Sequence, residues 1–214
     1  FAIDISKSSL AYAKRMTDQY KIQNIYYFQS DLLNINLLKE SFDMIICTGV
    51  LHHMEKPYEG LKSLCEVLKP NGFMKLGLYS TIARSSIIEL RNEIKKLNLD
   101  FNKKNMSKIR EIILNSEKNA IKMCSKFNDF YSTSGFRDLI FNKIEHTFNL
   151  IEIQNDILKQ NLKFLGFGKH RCLQKFKAYF PDYNSELNLK YWTAFEINFP
   201  DTFSSMYNFW VSKI

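Results

Sequence analysis

The stretch "FDMIICTGVLHHMEKPYEGLKSLCEVLKPNGFMKLGLYS", residues 42–80, decides the fold. Phe42 to Val50 is an almost unbroken apolar run of strand length, the pattern of a strand buried on both faces of a parallel sheet. Pro57 suits the first turn of a helix, and Leu61, Leu64, Cys65 and Leu68 recur on one face before "KPNG" stops it. "FMKLGLYS", residues 73–80, returns to strand. Strand, helix and strand joined by short loops make a right-handed βαβ unit.

The same alternation extends upstream. "FAIDI", residues 1–5, reads as a strand, and "SKSSLAYAKRMTDQY" follows as a helix capped by Ser6 or Ser8. "NIYYF", residues 24–28, is a further strand that gives way to the polar "QSD". The predicted class is therefore α/β, a doubly wound, Rossmann-like sheet. Ligands of such sheets gather outside the carboxyl ends of the strands, which brings Asp4, Asp31, the Cys47 to His53 stretch and Tyr79 to one edge.

Downstream the pattern turns helical. Ile87, Leu90, Ile94 and Leu97 mark one amphipathic helix, and Met106, Ile109, Ile113 and Ala120 a second, an inserted helical pair. "FNDFYSTSGFRDLIF", residues 127–141, is a polar-aromatic loop leading to a short helix with Ser134 as its cap. A helix over 150–162, a strand "KFLGF", helices near 171–180 and 185–198 and a last strand "MYNFWVSK" resume the α/β pattern. Three regions follow: a core over 1–80, a helical cap over 81–149, and a completion of the core over 150–214.

The 214 residues, 45% hydrophobic and 24% charged, have the balance of a folded globular protein. No apolar stretch reaches the roughly 18 residues of a membrane span, and no signal segment opens the chain, so a cytoplasmic protein without a membrane partner is expected. The four cysteines, Cys47, Cys65, Cys124 and Cys172, form no CxxC pair, which argues against a zinc ribbon or a dithiol redox site. The net charge of +8 is spread along the chain as lysine, so a nucleic acid partner is open but not favoured.

Asp4, at the end of the first strand, is placed to accept hydrogen bonds from the hydroxyls of a cofactor ribose, or to start a helix. A glycine-rich turn should precede such an acidic residue by about 20 positions. None does within these residues, so the chain is expected to lack its first strand and that turn.

Taken in order, Asp4, "QSDLL", "FDMIICTGVLHHMEKP" and "LKPNGFMKLGLYS" resemble the class I S-adenosylmethionine-dependent methyltransferases. The resemblance implies a cofactor, S-adenosyl-L-methionine, whose ribose is held by Asp4 beside Ile5 and whose adenine is approached by Asp31 beside Leu32. It implies that Cys47, Thr48 and Gly49 line the methionine part. The later segments "LGLYSTIARSSI" and "YWTAFEINFPDTFSSMYNFW" are similar to bacterial methyltransferases joined to tetratricopeptide repeats, which implies a protein-binding array in the absent amino-terminal part.

Methyl transfer needs alignment more than acid-base chemistry, but a hydroxyl or acidic carbon acceptor profits from a base. His52 and His53 are the candidates, with Tyr79 as a further one; adjacent residues of an extended chain face opposite ways, so at most one histidine is expected to face the acceptor, and His52 is favoured. Either histidine also fits a purely structural role at the next turn. No third ligand at useful spacing accompanies the histidines, so no metal site is expected. Arg84, Tyr131 and Arg137 are substrate candidates, since a cap on this edge would carry groups that grip a carboxylate or phosphate. "LGFGKHR", residues 165–171, lacks the third glycine of a phosphate-binding turn. The alternatives are a binding or scaffold module that has lost its cofactor site, and an NAD-dependent oxidoreductase using Asp4 on the ribose.

Overall fold

The computed structural model describes residues 1–99, 102–168 and 171–214. In chain order the elements are β1 (Ala2–Asp4), α1 (Lys7–Gln19), β2 (Tyr27–Gln29), β3 (Phe42–Thr48), α2 (Pro57–Val67) and β4 (Leu68–Tyr79). The helices α3 (Ser85–Lys96), α4 (Lys103–Asn115), α5 (Asn119–Met123), α6 (Thr133–Phe141) and α7 (Leu150–Lys159) follow. The chain ends with β5 (Leu162–Phe167), α8 (Leu173–Tyr179), α9 (Leu189–Asn198) and β6 (Met206–Lys213). These elements form two compact units, one of residues 1–77, 154–168 and 208–214 and the other of residues 78–153 and 171–207.

In the first unit β1 and β2 pair in parallel, Ala2 opposite Tyr27 and Asp4 opposite Gln29. The remaining strands form a sheet in the order β3-β4-β6-β5. β3 and β4 run parallel from Met44 opposite Phe73 to Thr48 opposite Gly77, whereas β5 and β6 are antiparallel. The sheet is thus mixed where the apolar runs predicted only parallel strands. A run of buried residues reports that a strand is covered, not which way it points.

Two local expectations are corrected. β3 is not buried on both faces: Met44 and Ile46 are 55% and 65% exposed, because they line an open cavity. Helix α2 stops at Val67, before "KPNG", and fully buried Leu68 opens β4 instead of closing the helix. Pro70 pushes Lys69 out of the helical region, and Asn71 takes a left-handed φ of 61°. The Lys213 ammonium donates to the carbonyls of Cys65 and Leu68 at 2.9 and 2.8 Å, satisfying acceptors at the helix end.

In the second unit the expected pair, α3 and α4, is joined by α5 and α6. Ile87, Leu90, Ile94, Met106, Ile109, Ile113, Ile121 and Phe136 belong to one buried cluster. The second predicted helix breaks at Ser116, where ψ is 133°, so Ala120 falls in α5. Ser132, not Ser134, caps α6 by accepting from the Gly135 N–H at 2.9 Å. An aromatic core gathers around Trp192, on which Phe176 stacks at 3.8 Å.

Two buried polar groups tie this unit together. Glu196 accepts from the Ser80 hydroxyl at 2.6 Å and the Tyr207 hydroxyl at 2.7 Å. Arg84, 3% exposed, donates from Nε and Nη2 to the two oxygens of Glu145, each at 2.9 Å, and from Nη1 to Ser205 Oγ at 3.0 Å. Its guanidinium lies 3.7 Å from the Tyr79 ring centre, and Arg91 supplies a second cation to Glu145 at 2.9 Å.

Removing Glu145 leaves two largely buried cations without their shared carboxylate. Glu145→Ala is expected to cost about 3–5 kcal/mol of unfolding free energy in denaturant titration. Glu196 gives a pH test. Burial raises its pKa, opposed by the hydrogen bonds from Ser80 and Tyr207. The folded state therefore holds the proton to higher pH than the unfolded chain, and the contribution of Glu196 falls as pH rises through that window. Glu196→Gln keeps a neutral group of the same shape. Its stability relative to the native protein should improve as pH rises above the ordinary glutamate value of about 4.3 in urea titrations; a difference that stays constant with pH contradicts the assignment.

Candidate active site

Parallel strands bring their carboxyl ends to one edge, and in the first unit that edge opens on a cavity of about 720 Å³. This lies in the size range of small-molecule sites, roughly 300–1,000 Å³. Its walls come from the ends of β1 and β2, from β3, and from the turn that follows β3.

Asp4 stands at the end of β1, and its Oδ1 accepts from the Ser6 N–H at 2.7 Å. Ser6 in turn caps α1 by accepting from the Ser9 N–H at 3.2 Å. Asp31 caps the 3-10 turn Leu32–Leu38, its Oδ1 accepting from the Leu33 N–H at 2.9 Å. Each carboxylate is thus oriented by one backbone bond through Oδ1, which leaves Oδ2 outside that bond to meet a hydroxyl or amino donor. Ile5 and Leu32 join them in the wall. The backbone ties the two ends together, since the Ser30 N–H donates to the Asp4 carbonyl at 3.2 Å.

β3 supplies the opposite wall through Met44, Ile45, Ile46 and Cys47. Burial pushes the Cys47 thiol up to about 11, so it is a neutral, apolar wall and not a nucleophile at neutral pH. Gly49 then takes φ +78°, a left-handed turn that glycine adopts at no steric cost, and ends the strand. Thr48 does not line the cavity; it pairs with Gly77 on β4.

The two histidines separate sharply. Leu51–His53 is a 3-10 turn, not extended chain, so the alternation argument does not apply. His52 is fully buried, and His53 lines the cavity, its ring edge-on to His52 at 4.4 Å. Met54, Glu55 and Lys56 continue the wall. Nothing in the residue pattern singled out these three; their only signal was adjacency to the double histidine.

Tyr79, Arg84, Tyr131 and Arg137 belong to the second unit. Arg84 is corrected from substrate candidate to internal tie, because all three of its guanidinium nitrogens donate to Glu145 or Ser205. Burial raises the Tyr79 phenol, which keeps it protonated and unsuited to act as a base at neutral pH. Tyr131 is 75% exposed and Arg137 is exposed on α6. In "LGFGKHR", residues 169 and 170 lie outside the described residues. Gly166 pairs with Trp210, the Gly168 N–H donates to the Asn208 carbonyl at 3.0 Å, and Arg171 donates to the Asp201 carbonyl. Among the described residues no group of three or more His, Cys, Asp and Glu is arranged to hold a metal ion.

Residues 1–76 match the sequence profile of the family described as "Methyltransferase domain". Among curated proteins, an uncharacterized protein of Synechococcus sp. is 36% identical over 94 residues, 44% of this chain and 22% of that protein. The mitochondrial ubiquinone biosynthesis O-methyltransferase of Schizosaccharomyces pombe is 33% identical over 91 residues, 42% of this chain and 32% of the relative. The malonyl-[acyl-carrier protein] O-methyltransferase of Halalkalibacterium halodurans is 30% identical over 94 residues, 42% of this chain and 33% of the relative. The matched stretches thus span between 22% and 33% of these relatives. Among solved structures, PKMT2 from Rickettsia typhi, in complex with AdoHcy, superposes with a TM-score of 0.67 at 18% identity, over 98% of this chain and 43% of that one. The fold is the Rossmann-like α/β fold of the methyltransferases, and every wall of the cavity lies within the 76 residues that match their domain.

Proposed function

We propose that this chain is the methyl-transferring part of an S-adenosylmethionine-dependent enzyme, with the cofactor bound in the cavity of the first unit. One observation carries it: Asp4 at the end of β1 and Asp31, two residues past the end of the adjacent parallel strand β2, are each held by a backbone N–H and line one cavity inside the matched domain. Asp4 takes the ribose hydroxyls, Asp31 the adenine amino group, and Cys47 and Gly49 flank the methionine part. The cofactor brings a methyl group activated on a sulfonium. The protein's task is to align the acceptor in line with it and to exclude water. His53 is placed to take the proton of a hydroxyl or acidic-carbon acceptor, while buried His52 packs behind it. The acceptor itself, small molecule or macromolecule, is left open.

The proposal includes a further strand between β1 and β3, carrying the glycine-rich turn. Among the described residues β1 pairs only with β2, and β3 only with β4. The cavity continues between the two edges, walled by Ile3 on one side and by Phe42, Met44 and Ile46 on the other. No residue from 1 to 31 is buried, although this stretch is a strand, a helix and a strand. A parallel strand in the gap would cover apolar side chains on both edges and supply the backbone donors of its turn. The Synechococcus relative, of which the match covers 22%, supports a longer polypeptide in which a repeat array has room. No helix among the described residues is long and apolar enough to cross a membrane.

S-adenosylhomocysteine should bind this chain weakly, and about 100-fold more tightly when a preceding strand and glycine-rich turn are present, in calorimetric titration. In either form Asp4→Ala should weaken binding about tenfold or more, the worth of a charge-assisted hydrogen bond. NAD should not compete. Absence of binding in the extended polypeptide would favour the scaffold alternative and sink the enzyme.

A further inference from the structure

A glycine inside a helix lowers its stability relative to alanine. Gly60 is nevertheless buried in the first half of α2. The turn after β3 packs directly on its backbone. A methyl group built at Gly60 would lie 2.5 Å from Met54 Sδ, 2.8 Å from Leu51 Cδ2 and 2.9 Å from Met54 Cε, well inside the contact distance of about 3.5–4.0 Å. Met54 is itself a wall of the cavity, next to His53. Leu51, on the other side of the contact, is 2% exposed and has no room to yield in a close-packed interior. The cavity is the open direction.

We infer that Gly60 is a positioning residue for the site: its missing side chain lets the thioether of Met54 lie back on α2, which sets the free space beyond the end of β3. This rests on the proposed function, which puts the reacting ends of donor and acceptor there. The turn moves as one piece, because the His53 N–H donates to the Val50 carbonyl at 2.9 Å and the Met54 N–H to the Leu51 carbonyl at 3.1 Å. Pressure on Met54 is therefore felt at His53. Methionine is unbranched and adapts to such pressure without unfolding the protein. The consequence of a side chain at position 60 is a narrower cavity in a protein that stays folded.

The test uses Gly60→Ala, Met54→Ala and the double variant, read by the methionine methyl signals in NMR and by titration with S-adenosylhomocysteine. Gly60→Ala should shift the Met54 methyl signal and weaken binding about fivefold in a protein that still unfolds cooperatively, since the gain of alanine in the helix offsets part of the overpacking against Leu51 and Met54. The double variant should bind within about twofold of Met54→Ala alone, since the clash has lost its cavity-lining partner and the contact that remains is with Leu51, which does not line the cavity. An unmoved Met54 signal overturns the assignment. So does a loss of affinity that Met54→Ala fails to rescue. The variants are compared in the polypeptide extended by the preceding strand and glycine-rich turn; failure of its unsubstituted form to bind S-adenosylhomocysteine is seen before any variant is compared, and it overturns the proposed function and this inference with it.

Discussion

The parallel pairing of β3 with β4, held in register from Met44 opposite Phe73 to Thr48 opposite Gly77, fixes where β3 stops. The candidate site hangs from that stop. Gly49 turns the chain with a positive φ, Leu51 anchors the following 3-10 turn in the core, and His53 and Met54 are left on the cavity side. A register slip of one residue would exchange the faces of the strand, since side chains alternate. Buried Cys47 and exposed Ile46 would then trade places. Position and chemistry are therefore set by the same ladder of backbone bonds.

The first unit is unevenly supported along its length. From Leu61 to Leu76 nearly every apolar side chain of α2 and β4 is buried, whereas the segment with β1, α1 and β2 buries none completely. Phe1 instead makes ring contacts of 5.4 to 5.6 Å with Tyr26 just before β2, Phe28 within it and Phe42 at the start of β3. Burying a large apolar side chain is worth about 1.5–3 kcal/mol, so a βαβ segment without any such residue leans on its neighbours. The two carboxylates of the candidate site belong to this less supported segment. Their orientation rests on short-range bonds within two residues, Asp4 to Ser6 and Asp31 to Leu33, which survive small displacements of the segment as a whole.

The α/β class, the helix α2 and the amphipathic helices α3 and α4 were legible because each follows from a period of apolar residues. Asp4, Asp31, Cys47 and Gly49 were legible because strand ends can be placed from the same pattern, and the cavity gathers all four. What lay beyond reach depends on contacts that composition does not encode. The choice between His52 and His53 turns on a 3-10 turn where an extended chain was assumed. Arg84 reads like a substrate-gripping residue until its partner Glu145, 61 positions away, is seen to take the whole guanidinium fork. The antiparallel direction of β5 against β6 is likewise a matter of connection, not of residue type.

The chemistry of the cavity walls narrows what the site can hold. Two carboxylates stand on the β1 and β2 side, and β3 presents hydrocarbon and a neutral thiol. The aspartates favour a ligand that brings hydrogen-bond donors to the β1 and β2 side, and a phosphate placed against them would meet like charge. A nicotinamide dinucleotide carries a pyrophosphate through the middle of its length and needs helix amides or cations to receive it. In the described part of this cavity Lys56 is the one cationic wall residue, and Glu55 stands next to it. A nucleoside joined through sulfur to an amino acid carries no pyrophosphate and asks for such donors only at its carboxylate. Asp4 and Asp31 thus serve the donor-bearing end of either nucleotide, and a pyrophosphate would depend on the backbone donors of the proposed glycine-rich turn, not on the walls that β1, β2 and β3 provide.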